Sequence, residues 1–158
     1  GRVSHVSLQP EGQPPVSATA VNGGGKTYID ADGTRKAVSD PRALLESEIP
    51  AVVEEFRLAA ARCMEAGFDG VEIHGANGYL LEQFLRSGIN DRTDGYGGSL
   101  EGRMRFSLEV AEAVVREVGS DRTGYRISPI GGEADGQRHD HNMLETWVML
   151  SSLAKRLV

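Results

Sequence analysis

Residues 67–106 read GFDGVEIHGANGYLLEQFLRSGINDRTDGYGGSLEGRMRF, and the order of residue types along them decides the fold. Gly67 ends a helix, the stretch 68–74 has the alternation of a strand, and the strand runs into a polar rim and a long loop before Ser99 caps another helix. His74, Asn77 and Tyr79 stand within six residues of one another at the strand's carboxyl end. An imidazole and a carboxamide can donate hydrogen bonds to an oxygen gaining negative charge, and a phenol can deliver a proton. The cluster reads as a functional site suited to a carbonyl group.

Upstream of this stretch, Ser47 is placed to cap a helix that reaches 63–66, with Pro50 tolerated in its first turn and Ile49, Val53, Phe56, Ala60 and Cys63 on its apolar side. Downstream, the helix begun by Ser99 carries Leu100, Met104, Leu108, Ala111, Val115 and Val118 as one stripe and closes at Gly119. A strand over 124–128 follows, then a helix over 142–157 with Met143, Trp147, Leu150, Ala154 and Leu157 at helical spacing and Trp147 assigned to the core. This alternation of helix and strand predicts a parallel sheet covered by helices. In strands covered on both faces, Val71 and Ile73 should turn to the helices, and Glu72 and His74 to the opposite side. Arg126 and Ser128 share that side by parity, so Glu72 is expected to pair with Arg126.

The first 25 residues are rich in Pro and Gly and read as an irregular surface connection. Residues 26–29, the turn Asp30-Ala-Asp-Gly33 and residues 34–38 form a predicted hairpin outside the core. The division is therefore 1–46 as loop and hairpin excursion and 47–158 as β/α units.

With 158 residues, 39% hydrophobic and 25% charged, the composition is that of a soluble globular domain. The net charge of −6, its charges interspersed, argues against nucleic acid as a partner. No apolar run is long enough to span a bilayer and the first residues lack a secretory pattern, so a cytoplasmic setting is expected. Cys63, the only cysteine, is expected to be a buried thiol, with no internal disulfide. Arg138-His-Asp-His141 lacks a ligand set with metal spacing, and Asp30-x-Asp32-Gly33 lacks the full calcium-loop pattern; no metal is assigned. Ala20-x-x-x-x-Gly25-Lys26-Thr27 superficially matches a phosphate loop, but neither a preceding buried strand nor a following helix accompanies it.

The run H-G-A-N-G-Y-L-L-x-Q-F-L at 74–85, followed by N-x-R-T-D-x-Y-G-G-S at 90–99, resembles the Old Yellow Enzyme family of FMN-dependent ene-reductases. Residues 1–21 (GRVSHVSLQPEGQPPVSATAV) and Arg126-Ile127-Ser128-Pro129 extend the resemblance over nearly the whole chain. It implies a (β/α)8 TIM barrel. Because such barrels need about 250 residues, this chain is expected to be an internal fragment holding about three to four of the eight units, plus the hairpin excursion. Two departures stand out: Gly102, where the family usually has Asn, and Arg86-Ser-Gly-Ile89, where a Ser-Pro or Asp-Pro start is commoner. Glycine within a helical turn is less favourable by up to about 1 kcal/mol.

The resemblance further implies that His74 and Asn77 hold the carbonyl oxygen of an enone, that Tyr79 protonates the α-carbon, and that Arg126 approaches the flavin's pyrimidine side. The implied reaction passes hydride from NADPH or NADH to FMN and on to the β-carbon of an α,β-unsaturated carbonyl compound. The same resemblance puts the phosphate-binding loops after later strands. A catalytically incompetent truncated fragment without a complete FMN site is thus the second expectation. Substrate identity, NADH against NADPH preference and oligomeric state are left open by the sequence.

Overall fold

The computed structural model describes residues 1–129 and 143–157. In chain order the elements are β1 (Val16–Ser17), β2 (Lys26–Tyr28), β3 (Arg35–Ala37), β4 (Arg42–Ala43), α1 (Ile49–Glu65), β5 (Val71–His74), α2 (Leu80–Leu85), α3 (Leu100–Val118), β6 (Thr123–Arg126) and α4 (Met143–Leu157). The side chains of Met143, Trp147 and Leu150, and the whole 138–141 cluster, lie outside the described residues.

The site rests on one parallel pair. β5 and β6 run side by side with Glu72 opposite Gly124, Ile73 opposite Tyr125 and His74 opposite Arg126. The chain between them crosses over through α2 and α3, and α3 packs against α1 and α4. Ile73 is 4% exposed, and Val71 and Tyr125 pack on the same helix-side core, while Glu72, His74 and Arg126 face away from it. The two-residue period of the strand therefore sorts the side chains as the sequence predicts.

α1 does not begin on a Ser47 cap. Ser47 is exposed inside a 3-10 turn (Glu46–Glu48), and the Glu48 carboxylate secures that turn by accepting the Leu45 N–H at 2.7 Å and both terminal nitrogens of Arg42. A Ser47 cap has no donor to accept, because the Ile49 N–H goes to the Glu46 carbonyl of the 3-10 turn and Pro50 has no N–H. The helix ends in a Schellman motif. Gly67, at φ 88°, donates to the Met64 carbonyl and Phe68 to that of Cys63. That motif consumes residues assigned above to the strand: Phe68 is 64% exposed and β5 starts only at Val71. Cys63 is half-buried, not sealed in the core.

In α3 the Ser99 hydroxyl accepts the Gly102 N–H at 3.1 Å, and Gly119, at φ 96°, ends the helix. Its most buried face is Arg103, Met104, Phe106, Ser107, Val110, Ala111 and Val114. Of the predicted stripe, Leu100, Leu108, Val115 and Val118 are half-buried instead. The reason is that α3 serves two clusters: Phe106, Val110, Ala111 and Val114 join Ile49, Ala60 and Ile73, while Met104 joins Leu85 and Leu153.

The hairpin of β2 and β3 is antiparallel and mostly exposed, with the Asp30 carboxylate accepting the Asp32 and Thr34 N–H groups across the turn. The N-terminal stretch is less superficial than its composition suggests. β1 pairs in parallel with β4, and Arg2, Ser17, Ala18 and Thr19 are buried. Strands of two residues are too short to leave a period in the sequence.

Helix α2 occupies a stretch that the sequence reads as polar rim and loop. Leu81 to Leu85 are all buried, the polar Glu82 and Gln83 included, so the segment shows no amphipathic period to announce it.

Candidate active site

His74 is the last residue of β5, and the ladder continues one step through the Gly75 N–H to the Arg126 carbonyl at 3.1 Å. The chain then reverses. Asn77 and Gly78 have φ of 57° and 75°, and the Tyr79 N–H returns to the Ala76 carbonyl at 3.1 Å. Positive φ at both central residues with that hydrogen bond marks a type I′ turn, for which Asn-Gly is the favoured pair. The reversal carries the Tyr79 ring back to His74, with ring centroids 5.2 Å apart and planes inclined at 45°. His74, Asn77 and Tyr79 are exposed, while Gly75, Ala76 and Gly78 between them are buried. Small residues thus form the floor from which the three functional groups rise.

Gly75 is small for a reason. A Cβ there would lie 2.3 Å from the Tyr125 ring and 2.4 Å from its hydroxyl, well inside contact distance. Burial pushes the Tyr125 phenol up to about 12, so the ring is held neutral beneath the turn. Gly75→Ala must displace the ring or the turn, and we expect it to lower stability in urea unfolding by about 1–3 kcal/mol. An unchanged midpoint would show that the ring is not packed against this residue.

Beside His74, Arg126 Nε donates to both Glu72 carboxylate oxygens, at 2.9 and 3.1 Å. This bifurcated contact holds the Glu72 carboxyl below the usual range and raises the Arg126 guanidinium, with the hydrogen bond the main cause in each. The terminal guanidinium nitrogens make no hydrogen bond among the described residues. Because the folded-state pKa of Glu72 is depressed, its contribution to stability is present above the unfolded value of about 4.3 and is lost as pH falls through the folded one. Arg126→Ala should return the Glu72 titration, followed by carboxyl carbon NMR, to about 4.3; no movement would mean the pair does not form in solution.

Beneath the turn lies a buried network absent from the sequence reading. Glu82, 3% exposed, accepts the Gly78 N–H and the Ser128 hydroxyl and is paired with Arg86, whose Nε lies 3.1 Å from it. Arg86 also donates to the Ser128 carbonyl. The Ser128 Oγ accepts the Asn77 N–H at 3.0 Å. On the other side, Gln83 Nε2 donates to the Gly78 carbonyl at 2.7 Å, and its Oε1 accepts from Ser17 Oγ at 2.9 Å. The available signal was the Glu82–Arg86 spacing of four, which would have marked both as partners on one helical face.

The following loop is knit to the same body. Asn90 Nδ2 donates to the Phe84 and Tyr96 carbonyls, and Arg92 donates to those of Ala18 and Leu44 while pairing with Asp94. Tyr96 is buried, its hydroxyl donates to Glu109, and burial with that carboxylate raises its phenol to about 12. Gly102 is required by space: a Cβ there would sit 2.3 Å from the Gly97 carbonyl oxygen. The departure from Asn is therefore matched to a close approach of the loop, not a weak point in the helix.

Among the described residues no cluster of three or more His, Cys, Asp or Glu could hold a metal ion, and no helix is long and apolar enough to cross a membrane. A profile of the NADH:flavin oxidoreductase / NADH oxidase family matches residues 5–158. The chain belongs to this family. It is of the Old Yellow Enzyme kind, as its relatives are. It is 51% identical over 143 residues to putative 12-oxophytodienoate reductase-like protein 1 of Arabidopsis thaliana, covering 87% of this chain and 42% of that protein. It is 54% identical over 129 residues to 12-oxophytodienoate reductase 1 of Oryza sativa subsp. japonica, covering 82% of this chain and 32% of that one. In three dimensions it superimposes on morphinone reductase in complex with tetrahydroNAD with a TM-score of 0.84 and 43% identity, over 100% of this chain and 44% of the other. The family member thus spans less than half the length of the relatives it matches.

Proposed function

We propose that this chain carries the carbonyl-binding and proton-donating part of an FMN-dependent oxidoreductase that reduces the C=C bond of α,β-unsaturated carbonyl compounds with NADPH or NADH. The observation that carries this is the approach of the Tyr79 phenol ring to the His74 imidazole at the carboxyl end of β5, on the side that also presents Arg126. In β/α barrels that end holds the chemistry. We read β5 and β6 as neighbouring staves of a (β/α)8 barrel, residues 47–158 as β/α units of it and residues 1–46 as the loop and hairpin excursion. The likeness to morphinone reductase supports that reading.

The residues present fit one edge of a flavin. Arg126 offers terminal N–H donors and a fixed positive charge, anchored from behind by Glu72, on an exposed strand face that is polar rather than apolar. Such a group suits an electron-rich ring edge carrying carbonyl acceptors. When bound, FMN would supply the redox chemistry, taking hydride from the nicotinamide and giving it to the substrate.

The chain's own groups do the rest. His74 and Asn77 donate hydrogen bonds to the enone oxygen, where negative charge grows as the β-carbon is reduced, and so stabilise the transition state more than the ground state. Tyr79 gives its phenolic proton to the α-carbon. The test is anaerobic turnover of the FMN-loaded protein with 2-cyclohexenone and either nicotinamide. The reading requires the saturated ketone to form in step with nicotinamide oxidation; nicotinamide consumption with the enone left intact would overturn it.

A further inference from the structure

We propose that Ser128 is a positioning residue for Asn77, coupling the carbonyl-holding turn to the strand that carries Arg126. The inference rests on the proposed role of Asn77 as a carbonyl donor and concerns what holds that donor in place. Asn77 sits at φ 57°, a conformation non-glycine residues adopt at a cost unless the surroundings fix it. Successive N–H groups of residues with such dihedrals converge into a small concavity that favours negative charge. Here the concavity is filled from within. The Asn77 N–H reaches Ser128 Oγ at 3.0 Å, the Ser128 hydroxyl passes its own hydrogen to Glu82, and the Gly78 N–H goes directly to the other Glu82 oxygen. Arg86 neutralises that carboxylate and also donates to the Ser128 backbone carbonyl, so side chain and main chain of Ser128 are both fixed.

The consequence is geometric. Ser128 lies two residues beyond Arg126, just past the end of β6. One hydroxyl therefore sets the distance between the donor offered to the substrate oxygen and the guanidinium offered to the flavin. Glu82 and Arg86 supply the charge that makes the linkage strong, but removing either leaves a buried ion without its partner and endangers folding. Ser128 can be altered while that pair stays intact.

The experiment is a double-mutant cycle in the FMN-loaded protein with 2-cyclohexenone and a saturating nicotinamide. Asn77→Gly removes the carboxamide yet accepts the positive φ, and Ser128→Ala removes the bridge. Ser128→Ala is expected to lower kcat/KM about tenfold, as for one buried hydrogen bond lost, with flavin content and melting temperature close to those of the parent. Ser128→Thr, which keeps a hydroxyl, should restore it. In the Asn77→Gly background Ser128→Ala should have no further effect, a result that a general structural role would not produce. Parental kinetics in Ser128→Ala, or losses that simply add in the double variant, would overturn the inference while leaving the carbonyl-donor reading intact. Parental kinetics in Asn77→Gly would overturn that reading and this inference with it.

Discussion

Tyr79→Phe in the FMN-loaded protein is expected to lower the rate of enone reduction about 100- to 10,000-fold, the range for loss of a positioned general acid. The change removes one oxygen and keeps the ring. Tyr79 is 45% exposed and its hydroxyl makes no hydrogen bond among the described residues, so little structural energy is attached to it. Its backbone closes the type I′ turn through the Ala76 carbonyl, which the substitution does not touch. The effect should fall on kcat with the substrate saturating, because proton delivery to carbon is needed only as the bond is reduced, whereas binding uses other groups. Stopped-flow measurement of the step that consumes enone checks it, and an unchanged rate would remove Tyr79 as the acid.

The second large effect is expected at His74. His74→Ala should reduce enone turnover about 100- to 1,000-fold, the usual consequence of deleting one preorganised donor to a developing oxyanion. The residue is exposed at the end of β5, with its neighbour Ile73 buried on the other side, so the fold does not depend on the imidazole. A surface substitution of this kind changes stability by no more than about 0.5 kcal/mol. His74→Asn, which keeps an N–H donor on a shorter side chain, should recover part of the rate. Steady-state kinetics of the two variants, with urea unfolding as the control, separate lost chemistry from lost folding. Equal losses in both would point to a steric role for the ring.

How far the sequence discloses this arrangement depends on the kind of signal each part leaves. Helix α3 was legible at both ends, since Ser99 and Gly119 mark its limits by chemistry that acts within a few residues. The facing of Glu72 and Arg126 followed from strand parity alone, and their ion pair from opposite charge. The turn at Asn77-Gly78 was present in plain sight as a dipeptide that favours positive φ, yet its consequence, the return of Tyr79 to His74, needs the backbone to be built.

Helix α2 is hidden for the opposite reason: with Leu81, Phe84 and Leu85 in the core and Glu82 and Gln83 buried against polar groups, its polar residues sit inside and mask any amphipathic pattern. Ser47 misleads because the Ile49 N–H that it would accept goes instead to the Glu46 carbonyl of the preceding 3-10 turn, and Pro50 has none. Buried polar residues were the general blind spot, since their partners, such as Ser128 for Glu82 and Ser17 for Gln83, are 46 and 66 residues away. Those long-range bonds are what fix the loop that carries Asn77 and Tyr79.

The central claim is that the His74 imidazole and the Asn77 carboxamide share one substrate oxygen. A crystal structure of the FMN-loaded protein with a bound cyclic enone tests it most directly. The account predicts the carbonyl oxygen at about 2.7–3.1 Å from a nitrogen of each side chain, with the Tyr79 hydroxyl over the α-carbon. A carbonyl held by other groups, with His74 and Asn77 turned apart, would contradict it.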